Sequence, residues 1–141
     1  MNEYILELGK KAKEASKKLA IIDTNTKNAV LTAVAKALTE KRELIKAENK
    51  KDLEYGKEKG ISSALLDRLE LTDSRIDGMA KSLIEIANFK DPVGEILEGW
   101  KHPDGMQILK QRVPLGVIGM IFESRPNVTI DSAGLALKSS N

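Results

Sequence analysis

Residues 114–139 read PLGVIGMIFESRPNVTIDSAGLALKS, and their pattern indicates the fold class. Val117 to Phe122 is a continuous apolar run, which is typical of a strand buried on both faces of a parallel sheet. A polar loop follows from Ser124 to Thr129. Ile130 to Ser139 is predicted to be a helix, with Thr129 or Asp131 near its start. A strand, a loop and a helix in this order are the opening of a doubly wound α/β unit.

The chain before Asp91 is predicted to be helical, because apolar residues recur there with a period of 3.6. The first helix has an apolar face of Ile5, Leu8, Ala12, Ala15 and Leu19. A second helix is expected to begin at a cap among Asp23, Thr24 and Thr26 and to stop by Gly56 and Gly60. Its predicted stripe is Val30, Val34, Leu38, Leu44 and Ile45. After a short segment, Ser62 to Leu69, a cap at Thr72 precedes a stripe of Ile76, Met79, Leu83 and Ile86.

A β-hairpin is predicted between these helices and the apolar run. Glu95 to Trp100 and Met106 to Val113 alternate in part, and they flank the tetrapeptide HPDG at 102–105. Proline presets φ and glycine accepts positive φ, so this tetrapeptide is a turn. His102 is therefore expected to be a turn residue, and Trp100 to pack in the hairpin or at an interface.

The doubly wound unit is unfinished in this sequence. A buried parallel strand needs neighbouring strands, and none follows before Ser139-Ser140-Asn141. We therefore expect the chain to be a fragment of a longer protein.

Composition excludes several classes of function. Among 141 residues, 23 basic and 21 acidic side chains give a net charge of +2, too even to indicate nucleic acid or an anionic membrane as partner. The chain has no cysteine, which excludes a disulfide framework, a thiolate metal site and a cysteine nucleophile within it. The longest uncharged stretch, Val113 to Phe122, is too short to span a bilayer. A soluble, cytoplasmic protein is expected.

Chemistry is expected in the loop after the predicted strand, because α/β sheets bind ligands beyond the carboxyl ends of their strands. The loop offers the Glu123 carboxylate, the Arg125 guanidinium and the Asn127 amide near a helix N-terminus, where developing negative charge is favoured. The residues alone leave a structural alternative open, in which Asn127 caps the helix and Arg125 pairs with Glu123. Gly116 and Gly119 precede the helix turn and do not form a dinucleotide-binding fingerprint.

The segment from Arg112 to Thr129, RVPLGVIGMIFESRPNVT, closely resembles the segment that characterises glutamate-5-semialdehyde dehydrogenases (γ-glutamyl phosphate reductases). Residues 133–141, 91–94 and Trp100 also fit this family of the aldehyde dehydrogenase superfamily. The resemblance implies an aldehyde-dehydrogenase-like α/β fold. Residues 1–91 would be the helical part of the cofactor-binding domain, 92–113 a bridging and oligomerisation hairpin, and 114–141 the first strand and helix of an incomplete Rossmann-like sheet.

The same resemblance implies a function in proline biosynthesis. It is the NADPH-dependent reduction of L-glutamate 5-phosphate to L-glutamate 5-semialdehyde with release of phosphate, by a homo-oligomer. Asn127 matches the residue that stabilises the oxyanion. Glu123, Ser124, Arg125 and Pro126 would lie along the nicotinamide side of the cofactor, with Arg125 as a phosphate contact.

The sequence departs from the family because the cysteine that would attack the substrate is absent. The chain is therefore expected to carry one part of a site and to be inactive alone. Two alternatives remain: a non-catalytic module that assembles through its hairpin, and a different acyl-reducing aldehyde dehydrogenase.

Overall fold

The computed structural model describes residues 3–141 and contains six helices and one antiparallel β-hairpin. The helices are α1 (Glu3–Leu19), α2 (Thr24–Glu40), α3 (Arg42–Glu58), α4 (Ser63–Leu69), α5 (Asp73–Asn88) and α6 (Pro126–Lys138). The strands β1 (Ile96–Lys101) and β2 (Gln107–Gln111) separate α5 from α6. Met1 and Asn2, the first residues of the predicted helical part, lie outside the described residues.

Two of the predicted helix caps are confirmed. The Asp23 carboxylate accepts a hydrogen bond from the Thr26 N–H at 3.0 Å, and the Thr72 hydroxyl accepts one from the Arg75 N–H at 3.2 Å. Each cap satisfies a backbone donor that the first helical turn leaves without an intrahelical partner. The bonds at Asp23 also hold the pKa of its carboxyl below the usual value.

The prediction of a single second helix was wrong, because the chain breaks at Lys41 into α2 and α3. The predicted stripe was right at Leu38, but at Val30 and Val34 it was one position before the buried residue. Leu31, Ala35 and Leu38 of α2 are buried, whereas Val30 and Val34 are exposed. Apolar residues on both sides of a helix give two possible stripes, and tertiary packing selects between them.

The core lies between α2, α5 and α6. Its buried members on α5 include all four predicted residues, Ile76, Met79, Leu83 and Ile86. Gly134 brings α6 close to α5, because a Cβ there would stand 2.8 Å from Leu83 Cδ2. The α1 helix is present as predicted, but none of its residues is fully buried, and Ile5, Leu8 and Ala15 of its apolar face are exposed.

A cluster of polar side chains, Lys27, Asn28, Asp91 and Lys138, lies beside this core. We call it the buried lysine cluster, because Lys27 and Lys138 are only 1% and 3% exposed. Lys27 Nζ lies 2.7 Å from Asp91 Oδ2, and Lys138 Nζ donates to Asn28 Oδ1 at 2.6 Å and to the Ala87 carbonyl at 2.9 Å. Lys27 Nζ also donates to the Lys138 carbonyl at 3.4 Å, so the cluster joins the beginning of α2 to the end of α6.

The predicted hairpin is confirmed. Its strands pair antiparallel from Lys101 opposite Gln107 to Ile96 opposite Gln111, with an irregularity between Ile96 and Glu98. The turn is closed by hydrogen bonds from Gly105 N–H to the His102 carbonyl and from His102 N–H to the Met106 carbonyl, each 2.8 Å. Gly105 has φ of 92°, which glycine adopts without strain.

The predicted strand from Val117 to Phe122 was wrong for this chain, because residues 112–125 form neither helix nor strand. A strand is defined by a partner, and β1 and β2 within residues 3–141 pair with each other. The segment is instead anchored at one point, where the Gly116 N–H donates to Asn141 Oδ1 at 2.8 Å. Leu115 is 88% exposed and Ile121 is fully exposed.

The last helix starts earlier than Ile130, its predicted beginning. It begins at Pro126, and Arg125 occupies the N-cap position without a side-chain cap. Proline suits the first helical position because its φ is already helical and the missing N–H has no partner to lose there. Across residues 3–141, no helix has the length and apolar character needed to cross a membrane.

Candidate functional site

A cavity of about 500 Å³ opens where α5 faces the beginning of α6. Its polar lining residues include Arg68 from α4, Arg75 and Ser82 from α5, and Arg125, Asn127 and Asp131 from the beginning of α6. Leu71 and Met79 contribute apolar wall. A largely apolar wall with a few convergent polar groups is the usual form of a small-molecule site.

The position of Asn127 in this cavity follows from the way α6 is held against α5. The Ser82 hydroxyl donates to Asp131 Oδ1 at 2.9 Å, and Asn127 Nδ2 donates to Asp131 Oδ2 at 3.3 Å. A chain of hydrogen bonds therefore runs from α5 through Asp131 to the Asn127 amide. An amide nitrogen carries two N–H donors, so one remains for a ligand when the other is used by Asp131.

Neither part of the structural alternative for the loop is seen. Asn127 lies inside the first turn of α6 and is not its N-cap residue. Within residues 3–141, Arg125 and Glu123 form no ion pair with each other.

The predicted cofactor-binding residues divide into two groups. Arg125 and Pro126 line the cavity together with Asn127, whereas Glu123 and Ser124 do not. Ser124 has φ of 51°, in the left-handed region that a non-glycine residue rarely adopts. This residue turns the backbone immediately before α6 and separates Glu123 from the cavity residues.

Three guanidinium groups line the cavity, and only the one of Arg75 forms an ion pair with a carboxylate within residues 3–141. Both terminal nitrogens of Arg75 have partners: its Nη2 lies 3.1 Å from Asp67 Oδ2, and its Nη1 donates to the carbonyls of Asp67 and Glu70, the latter at 2.9 Å. The guanidinium groups of Arg68 and Arg125 form no hydrogen bond or ion pair with any residue from 3 to 141. No three acidic, histidine or cysteine side chains in that range are grouped to hold a metal ion.

Arg68 and Asp131 are among the lining residues that the sequence did not indicate as part of a site. Arg68 lies in a short helix with other charged residues around it, so nothing in the sequence distinguishes it. Asp131 had a signal that could have been used. It is the only charged residue of α6 before Lys138, and charged residues are rare in an otherwise apolar helix without a partner.

Comparison with known proteins gives one consistent result. No family model matches the chain. The γ-glutamyl phosphate reductase of Halothermothrix orenii is 52% identical over all 141 residues, which make up 34% of that protein. The enzyme of the same name from Campylobacter curvus is 55% identical over 137 residues, or 97% of this chain and 31% of that protein. The chain thus spans about a third of the length of the curated relatives it matches.

Solved structures agree with the sequence relatives. The γ-glutamyl phosphate reductase of Thermotoga maritima superposes with a TM-score of 0.93 at 45% identity, over 96% of this chain and 33% of that one. The protein of that name from Saccharomyces cerevisiae gives 0.90 at 32% identity, over 96% of this chain and 34% of its own. The resemblance found in the sequence is therefore confirmed, and in both sequence and fold the chain is similar to about a third of the length of the γ-glutamyl phosphate reductases that it matches.

Proposed function

We propose that this chain is part of an oxidoreductase of proline biosynthesis that reduces L-glutamate 5-phosphate to L-glutamate 5-semialdehyde, with release of phosphate and with NADPH as cofactor. The observation that carries the proposal is the meeting of Asn127 and Arg125 in one cavity at the N-terminus of α6. The names of the relatives, which match along the whole chain, support it.

Asn127 is proposed to stabilise the oxyanion that forms when the acyl group is attacked. Its side-chain nitrogen keeps one N–H donor beyond the bond to Asp131, and the helix dipole adds partial positive charge at the same place. Donors fixed before the reaction need no reorganisation as the charge develops, which is why they lower the barrier. The attacking thiol would come from outside these 141 residues, since the chain has no cysteine.

Residues Glu123 to Pro126 are proposed to lie along the cofactor. One feature of the site supports a nicotinamide nucleotide as ligand. The exposed Arg125 guanidinium has no partner within residues 3–141 and is suited to bind a phosphate. When bound, the dihydronicotinamide supplies a hydride to the acyl carbon. The contribution of this chain is to orient that ring with Arg125 and Pro126 beside Asn127.

The remaining parts of the chain receive proposed roles from the same family. Residues 1–91 with 114–141 would belong to the cofactor-binding domain, and residues 92–113 would join subunits of a homo-oligomer. Trp100 and Leu109 on the hairpin are half exposed, which leaves apolar surface for such a contact. We propose that the protein acts in the cytoplasm on a small molecule, without nucleic acid or membrane.

An alternative is a non-catalytic interaction module, supported by the exposed apolar residues between Val113 and Phe122. Another is an acyl-reducing aldehyde dehydrogenase with a different substrate. Substrate tests separate all three, because only the proposed enzyme couples NADP⁺ reduction to both glutamate 5-semialdehyde and phosphate.

The test uses the full-length protein that contains this chain, assayed in the direction of semialdehyde oxidation. Turnover should require phosphate and should prefer NADP⁺ to NAD⁺. Asn127→Ala should lower kcat by roughly a hundredfold to a thousandfold, the usual loss for one oxyanion donor. An unchanged kcat in this variant would remove Asn127 from the proposed mechanism.

A further inference from the structure

The cavity contains opposite charges that the protein leaves unmatched. The Arg68 guanidinium has no anionic partner within residues 3–141, and the Asp131 carboxylate accepts hydrogen bonds there only from the uncharged groups of Ser82 and Asn127. Asp131 is also half-buried, where an unpaired carboxylate is less well solvated than on an open surface. Both side chains line the same cavity, yet they do not pair with each other.

Arg75 shows that this is not a general property of the arginines here. It lines the same cavity but is fixed by Asp67 and by the Glu70 carbonyl, so its role is to hold the end of α4 against α5. Arg68 stands one residue after Asp67 and takes no part in that network. A guanidinium free of structural bonds is available for a carboxylate, which it can bind through two parallel hydrogen bonds.

We propose that Arg68 and Asp131 recognise the α-amino-acid end of the substrate, Arg68 binding its carboxylate and Asp131 its ammonium group. This rests on the proposed function and names the residues that select an amino acid over a simple acid. A zwitterion is the smallest ligand that supplies an opposite charge to both Arg68 and Asp131. Asn127 lies beside Asp131, so one extended substrate can place its head group at Asp131 while its acyl end reaches the Asn127 amide.

The assignment gives Asp131 a use beyond holding α6. Ser82 and Asn127 each donate to a different oxygen of Asp131, and each carboxylate oxygen has a second lone pair for an ammonium group. An asparagine at 131 could accept a hydrogen bond from Ser82 or Asn127 but would lack the charge. Asp131→Asn removes the charge, and a comparison of two substrates, of which only one has an ammonium group, then separates charge recognition from the positioning of Asn127.

The experiment measures semialdehyde oxidation by the full-length protein with two aldehydes, glutamate 5-semialdehyde and its analogue without the amino group, glutarate semialdehyde. Asp131→Asn should raise the KM for the amino aldehyde roughly tenfold to a hundredfold and leave that of the analogue nearly unchanged. Arg68→Gln should raise the KM of both aldehydes, since both carry the carboxylate, and leave the KM for phosphate unchanged. Lys81→Gln removes one charge from an exposed site on α5 outside the cavity and serves as the control.

An equal loss with both aldehydes in Asp131→Asn would overturn the ammonium assignment and leave Asp131 as a positioning residue for Asn127. A raised phosphate KM in Arg68→Gln would overturn the carboxylate assignment. If the wild-type protein does not oxidise the semialdehyde at all, the proposed function fails instead. Calorimetry with L-glutamate and glutarate then tests the head-group site separately. The proposal requires the wild-type protein to bind L-glutamate more tightly than glutarate, and it requires Asp131→Asn to lose this difference.

Discussion

Asp91→Ala should strongly destabilise the fold, because it removes the only carboxylate bonded to Lys27 in the buried lysine cluster. Asp91 Oδ2 lies 2.7 Å from Lys27 Nζ and also accepts from the Thr24 hydroxyl at 2.8 Å, while Oδ1 accepts from the Val93 N–H at 3.0 Å. With Lys27 only 1% exposed, its ammonium group could not turn to water for a replacement.

The expected cost is about 3–5 kcal/mol, the range found when one partner of a buried ion pair is removed and the other charge stays buried. An exposed pair should behave differently. Glu40 Oε1 lies 3.5 Å from Lys36 Nζ, and both side chains are largely exposed to water. Glu40→Gln should therefore lower the free energy of unfolding by no more than about 1 kcal/mol. Lys27→Met combined with Asp91→Asn removes both charges and should recover much of the loss, since isosteric replacement of a buried pair is often nearly neutral.

Urea denaturation followed by circular dichroism measures these differences, and all four proteins can be compared at one pH. Equal losses in Asp91→Ala and Glu40→Gln would refute the argument, because they would mean that Lys27 is solvated after all. Failure of the double variant to recover stability would show instead that the hydrogen bonds from Thr24 and Val93 dominate.

The pH dependence supplies a second measurement on the same residue. Burial alone would raise the pKa of Asp91, but the hydrogen bonds from Lys27, Val93 and Thr24 outweigh it and lower the pKa below the ordinary value. A carboxyl with a lowered pKa in the folded state contributes stability above its unfolded pKa of about 3.9, and that stability is lost as pH falls through the folded pKa. The difference in the free energy of unfolding between the wild type and Asp91→Asn should therefore become smaller as the pH falls below about 4.

Three further predictions concern the core, the chemistry and the surface. Gly134→Ala should destabilise by about 1–3 kcal/mol in urea, because the new Cβ would meet Leu83 at 2.8 Å, whereas Gly9→Ala, with nothing within 4 Å, should be neutral or stabilising. The 141-residue chain alone should not oxidise NADPH with glutamate 5-phosphate, since it has no thiol, and any turnover would contradict a thioester mechanism. The same chain should self-associate through exposed apolar residues 113–122, and light scattering that finds a monomer at every concentration would disprove this.

Sequence patterns predicted the local features well, because each depends on neighbouring residues. The cap at Thr72, the stripe of α5 and the turn at Gly105 follow from side-chain chemistry within a few positions. The break at Lys41 and the register of α2 were not predictable in this way. They depend on which face of α2 is covered by α5 and α6, and residues far away in the chain decide that.

The residues of the candidate site likewise fall into those that the sequence could predict and those that it could not. Asn127 could be identified because its motif is continuous, from Arg112 to Thr129. Arg68 could not, since 59 positions separate it from Asn127 and only the packing of α6 against α5 brings both to one cavity. The predicted strand at 117–122 was wrong for this chain for a related reason: a continuous apolar run predicts a buried strand, but a strand also requires a partner strand, which residues 3–141 do not supply.

Gly134 and the buried lysine cluster also bear on how the nascent protein folds. Leu83 and Ile86 of α5 pack against α6. The α5 helix ends at Asn88 and α6 ends at Lys138, 50 positions later. At a synthesis rate of about 5–20 residues per second, roughly 3–10 seconds pass between completion of the two helices. Throughout that interval the growing chain contains Lys27 without its bond to the α6 backbone and Leu83 without its contact with α6. A ribosome-bound intermediate of this kind is a natural client for chaperones that recognise exposed aliphatic surface.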